Sequence, residues 1–224
     1  MKKIIGFIVI GLVGVLAGCN DFGVVLDQAK TAPTPAEALK VIWNWESDWC
    51  KHTVRRSCDF PKEVEDAEAQ YFEAAARAGT PFVLRTLYID QYYRTDLQAE
   101  LKTMVLEKVS ESDDPDLLLV AASIVGNERL GPINDEKQLA FLNRAWKAGA
   151  KQAAGYLANI YARTKDYETA YYWALQCNAN CRRDNMTGFT KSGYDAYEAD
   201  KLGNLEKHLN PKAIARIQGA LAHN

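Results

Sequence analysis

From residue 35 onward the apolar positions recur at intervals of three and four, the spacing that sets side chains along one face of a helix. Leu39, Ile42, Trp43 and Trp49 share much of one face, as do Leu139, Leu142, Ala145 and Trp146. Such segments run for about 12 to 17 residues between short polar or glycine-containing breaks. No segment alternates apolar and polar residues as a half-buried strand does. Four of the seven prolines stand where helices should begin, at Thr34-Pro35, Thr80-Pro81, Asp114-Pro115 and Asn210-Pro211. Each places a capping side chain before a proline at the first helical position. Thr34 and Glu37 add the spacing of a capping box. The pattern predicts an all-α fold of antiparallel helical hairpins forming one domain over 34–224.

The chain is also similar to itself. YFEAAARAGTPFVLRTL, Tyr71 to Leu87, aligns without gaps on FLNRAWKAGAKQAAGYL, Phe141 to Leu157, at an offset of 70 positions. Ala75, Ala78, Gly79 and Leu87 meet Ala145, Ala148, Gly149 and Leu157, so a helix, a tight turn at glycine and a second helix recur. Half the offset is close to the period of about 34 residues of helical-hairpin repeats. The stretch between, from Asp96 to about Leu130, also has two helical segments, broken at Ser112-Asp113-Asp114-Pro115.

Residues 145 to 173 resemble the Sel-one-like repeats, relatives of the tetratricopeptide repeats. They match the pattern at Ala145, Gly149, Ala153, Leu157 and Tyr161, then Asp166-Tyr167, Ala170 and Trp173. The first unit keeps Ala75, Ala76, Gly79 and Leu87 but has Val83 and Gln91 at the alanine and tyrosine positions, and the middle unit replaces glycine by Asp-Asp-Pro. LNPKAIARIQGALA, Leu209 to Ala222, is similar to the helix that closes such arrays. The resemblance implies a right-handed solenoid of about three to four repeats with terminal capping helices, and it carries no catalytic motif. Ala148, Gly149 and Ala153 are expected to let helices approach closely, with Leu157, Tyr161 and Trp173 filling the space between hairpins. Trp43, Trp45 and Trp49 either cover the first hairpin or form an aromatic recognition surface.

The amino terminus decides the compartment. Lys2 and Lys3 precede an uncharged apolar run from Ile4 to Gly18, the layout of a secretory signal. The run is shorter than the ~20 residues of a membrane-spanning helix. Leu16-Ala17-Gly18-Cys19 resembles the lipobox of bacterial lipoproteins. That implies cleavage after Gly18, removing residues 1–18, a diacylglyceryl thioether on Cys19 and acylation, commonly by palmitate, of the new amino terminus. Residues 19–33 would then be a lipidated tether. Asn20, rather than an aspartate, after the cysteine favours the outer membrane over the inner, with the protein facing the periplasm.

Export places the other cysteines, Cys50, Cys58, Cys177 and Cys181, in an oxidising compartment. Four cysteines allow three connectivities, and the two local pairs, Cys50 with Cys58 and Cys177 with Cys181, are favoured. Cβ atoms four residues apart on a regular helix stand farther apart than a disulfide prefers, so the second pair requires the helix to end between its cysteines. Zinc is the competing use of four cysteines, but neither spacing is that of a zinc ribbon.

The formal net charge of −2 falls to about −4 once Lys2 and Lys3 leave, which offers nothing for nucleic acid. His52, His208 and His223 do not have the spacing of a helical metal site, and no phosphate loop or nucleophile elbow is present. Glu63, Glu65, Asp66 and Glu68 fit the acidic first turns of a helix, and Ser112 to Asp116 fits a cap. The expectation is therefore a binding protein with no enzymatic activity, cofactor or metal. Its partner would be another protein, held at the membrane by the lipid on Cys19. Tyr92, Tyr93, Tyr156 and Tyr172, outside the repeat core, are the candidate contact residues. A scaffold in the envelope and an immunity protein against a periplasm-directed toxin are the two roles the family permits. A cell-wall enzyme is a distant third.

Overall fold

The computed structural model describes residues 22–52, 60–90, 94–181 and 201–222. Among them there are helices and turns and no strand, so the protein is all-α as expected. The chain divides into two compact units, one reaching Phe72 and one beginning at Glu73.

The first unit begins earlier than expected. Phe22–Thr31 forms helix α1 where a tether was expected, because Val25 and Ala29, four residues apart, make one buried face. That face packs with Ala38 and Ile42 of α2, Pro35–His52, and Val64 of α3, Lys62–Arg77. Asp21 stands where a cap would, but with no proline or capping-box glutamate after it the sequence marks no clear helix start. The start of α2, by contrast, is the predicted capping box: Glu37 N donates to Thr34 Oγ1 at 3.2 Å, and that hydroxyl donates to Glu37 Oε2 at 3.1 Å. Leu39 and Ile42 are buried, and Trp43 lies tilted against Phe72 with ring centroids 6.4 Å apart.

In the second unit the end of α3 leads into α4, Pro81–Tyr88, then α5, Thr95–Ser110, and α6, Pro115–Val125. These are followed by α7, Asp135–Lys147, α8, Ala153–Arg163, and α9, Tyr167–Asn180. Residues 201–206 are helical, and α10 is Pro211–Ala222. Helix α6 packs against α4, α5 and α7; α8 packs against α7 and α9, and α10 lies on α9. Asp114 caps α6 by accepting from Asp116 N and Leu117 N, and Asn210 caps α10 by accepting from Ala213 N. Thr80 precedes α4 without a side-chain cap bond.

Side chains carry the connections between helices. Arg85 of α4 donates to Asp116 of α6 at 2.6 Å, and Arg163 of α8 pairs with Asp135 of α7. Arg144 of α7 reaches the Ser112 carbonyl and Asp113 ahead of α6. At the end of α4, Tyr88 Oη donates to the Gln98 carbonyl and Gln98 Nε2 returns a bond to the Leu87 carbonyl, each at 2.6 Å. Burial pushes the Tyr88 hydroxyl well above its ordinary range, so it stays a donor.

The two glycine turns paired by the internal similarity close with the same bonds. After α3, Thr80 N donates to Ala75 O and Gly79 N to Ala76 O; after α7, Ala150 N donates to Ala145 O and Gly149 N to Trp146 O. Gly79 and Gly149 have φ of 72° and 99°, the left-handed residue this cap requires. The end of α8 makes the same pair of bonds, Asp166 N to Tyr161 O and Lys165 N to Ala162 O, but with Lys165 at φ 64°. Nothing lies within 4 Å of a Cβ built on Gly149, so Gly149→Ala pays only the left-handed backbone penalty. It should destabilise by about 1 kcal/mol, and Lys165→Gly should stabilise by a similar amount or slightly less. Urea unfolding of the two variants checks the opposite signs. Ala148 and Gly149 themselves are exposed, so the close approach expected of them is made by the buried Ala153 and Ala154 instead.

Candidate functional site

Three half-buried aromatic side chains of the second unit lie in a row where α7 meets α9. Trp146 stands in the last turn of α7, and Trp173 on α9 meets it edge to face with centroids 5.3 Å apart. Tyr172 meets Trp173 in the same manner, also at 5.3 Å. Lys151, in the turn before α8, places Nζ 4.6 Å from the centre of the Trp146 ring, a cation–π contact. The Tyr172 hydroxyl accepts from Gln176 Nε2 at 3.3 Å, one turn along α9.

Beneath the tryptophans lie Ala154, Cys177 and Cys181, all buried. Cys177 and Cys181 are joined as a disulfide with Cα atoms 4.7 Å apart, near the short end of the usual range. The helix ends between them, as expected. It runs to Asn180, and Cys181 is its C-cap, with its N–H bonded to the Cys177 carbonyl, so the bridge closes across the last turn itself. Gly155 on α8 makes room for it: a Cβ there would stand 3.2 Å from Cys177 Sγ. Cys181 Sγ also rests 3.2 Å from the Lys151 carbonyl oxygen, a contact rather than a hydrogen bond because a disulfide sulfur carries no proton. The bridge thus braces the end of α9 against the turn that carries Lys151.

Of the candidate contact residues, Tyr172 lies in this aromatic row, and Tyr156 is half-buried on α8. Tyr92, Tyr93, Cys19 and Cys58 lie outside the described residues, as does the side chain of Cys50. Trp173, expected in the core, and Trp146, expected on the apolar face of its helix, are both half-buried and complete the row. Their proximity to Cys177 and Cys181 in space has no counterpart in linear spacing.

A recess of about 250 Å³ opens between the starts of α9 and α10, lined by residues that include Lys165, Tyr167 and His208. Tyr167 and His208 stack with centroids 4.1 Å apart and planes 8° from parallel. The polar groups around them have structural work: Asp166 caps α9, Asn210 caps α10, and Glu168 pairs with Arg216.

In the first unit Glu46 of α2 comes within electrostatic reach of two carboxylates of α3. Glu68 accepts from Trp43 Nε1 at 2.7 Å, and Glu65 and Glu68 both face Glu46 of α2. Burial first, then the charges of Glu68 and Glu65, push the Glu46 carboxyl from its usual 4.5 to about 7. Its Oε1 is buried with no hydrogen-bond partner among the described residues. The folded state therefore binds the proton more tightly than the unfolded chain, and stability falls as pH rises from about 4.5 to 7, then levels. Glu46→Gln should match the wild type at pH 4 and exceed it at pH 8, by on the order of 1–2 kcal/mol after allowing for solvent screening. Denaturation midpoints across that range check it; a constant offset at every pH would rule out titration as the cause. No helix among the described residues is long and apolar enough to cross a membrane, and no group of three or more metal-ligating side chains converges among them.

Comparison with protein-family models, curated proteins and solved structures gives no match.

Proposed function

We propose that this protein is a lipid-anchored component of the bacterial envelope that binds another protein through the aromatic row of α7 and α9. The row carries this reading: three adjoining rings, partly exposed, are held by edge-to-face contacts above a disulfide. Aromatic anchors fixed before binding offer contact area with little further loss of side-chain freedom, which is what an interface core requires. The lipobox-like Leu16 to Cys19 supports anchoring by acyl chains, several of which hold far more firmly than one. The internal similarity, with matching glycine turns after α3 and α7, supports a right-handed solenoid of Sel-one-like hairpins. On this reading the protein faces the periplasm, from the outer membrane in preference to the inner, and acts as a scaffold without chemistry of its own.

Photocrosslinking in the native cells tests the row. A benzoylphenylalanine at position 172 should capture a protein partner, and one at the exposed position 128 should not. Equal capture at both positions, or none at 172, would sink the assignment. A single stoichiometric hydrolase in the adduct would make the role that of an immunity protein, and several envelope proteins would make it a scaffold. Cys19→Ala should move the protein out of the membrane fraction.

A further inference from the structure

The early start of α1 changes what a lipid on Cys19 would do. A tether through residue 33 would let the domain stand well clear of the bilayer, but α1 begins at Phe22, with only Asn20 and Asp21 between it and Cys19. Three residues of chain reach at most about 11 Å even when fully extended. The polar layer on each side of a bilayer core is itself about 5–8 Å deep. Since Val25 and Ala29 tie α1 into the core of the first unit, the first turn of α1 cannot drift away from the anchor without unpacking that core.

The same turn presents apolar surface. The large hydrophobic side chains exposed among the described residues are Phe22, at 41%, Val24, at 53%, and Ile133. Two of the three thus stand within five residues of the lipid attachment position, while the next turn carries the exposed pair Asp27 and Lys30. An apolar tip followed by a charged turn suits a boundary between acyl chains and water.

We infer that Phe22 and Val24 insert into the membrane interface beside the lipid on Cys19, seating the first unit directly on the bilayer. The inference rests on the anchoring proposed above. A short leash alone would permit rotation about the anchor; because Phe22 and Val24 stand on different sides of the helix, inserting both sets the first turn of α1 end-on to the lipid.

The test uses the mature, lipidated protein in vesicles of phosphatidylethanolamine and phosphatidylglycerol, with benzoylphenylalanine at position 22, 24 or, as a control, the exposed 159 on α8. After irradiation, mass spectrometry is expected to find phospholipid adducts at 22 and 24 and none above background at 159. Because positions 22 and 24 are exposed, the replacements leave the core intact. If neither position gains phospholipid although the Cys19 peptide carries its acyl mass, seating is wrong and anchoring stands. Equal lipid adducts at 159, or protein adducts in place of lipid at 22 and 24, overturn it as well. A Cys19 peptide without acyl mass removes the anchoring and the inference together.

Discussion

Tyr171→Ala is expected to cost about 3–5 kcal/mol, the range for removing a large buried aromatic side chain. Tyr171 is 1% exposed on α9, in a cluster with Ala158, Ala170, Ala174, Leu205 and Ile217. Its hydroxyl donates to Glu206 Oε1 at 2.6 Å and accepts from Gln218 Nε2 at 2.8 Å, so one side chain ties α9 to residues 201–206 and to α10. Burial and the neighbouring Glu206 push that hydroxyl above its ordinary range, which keeps it a donor at neutral pH. Truncation would open a cavity and also strand Glu206, whereas Tyr171→Phe removes the hydroxyl alone and should cost about 1–2 kcal/mol. Urea unfolding of both variants separates packing from hydrogen bonding. Similar losses in the two would mean that the ring contributes little.

Leu118→Ala is the second large effect, at about 2–5 kcal/mol. Helix α6 buries seven of its eleven residues, from Leu117 to Ile124, because it is packed by α4, α5 and α7. Leu118 is fully buried, so its loss leaves space that three surrounding helices cannot all move to fill. Ile133→Ala, at a side chain 45% exposed, should stay within about 0.5 kcal/mol of the wild type. Comparable losses at the two positions would contradict the burial that distinguishes them.

Local signals were legible along the chain. Thr34 with Glu37, Asp114 and Asn210 make the cap bonds expected of them because a capping side chain needs only the backbone two or three residues away. Gly79 and Gly149 likewise mark left-handed turns, since glycine alone adopts them without penalty. Lys165 takes the same conformation unannounced. The bonds that close the end of α8 outweigh its backbone cost, and no residue type signals that balance. Helix α1 was missed for a related reason: Val25 and Ala29 have helical spacing, but what stabilises a ten-residue helix is the surface of α2 and α3 that covers it.

The candidate site was legible only in fragments. Tyr172 stood out as an aromatic beyond the repeat core, and Cys177 and Cys181 as a local pair. Trp173 looked like filling between hairpins and Trp146 like part of an apolar helical face, because period alone does not tell a buried face from its rim. Glu46 is 19 positions from Glu65 and 22 from Glu68, and only the packing of α2 on α3 lets their charges act on it.

The sequence by itself determined the helical class, the helix starts at Pro35, Pro81, Pro115 and Pro211 and the turns at Gly79 and Gly149. These rest on interactions within one or two turns of chain, which residue identity and spacing specify directly. Tertiary structure alone decided that Phe22–Thr31 packs as a helix, that two tryptophans stay half-buried beside a disulfide and that Glu46 sits among like charges. Each depends on which surface covers which, and burial of that kind is a property of the packed chain rather than of any segment in it.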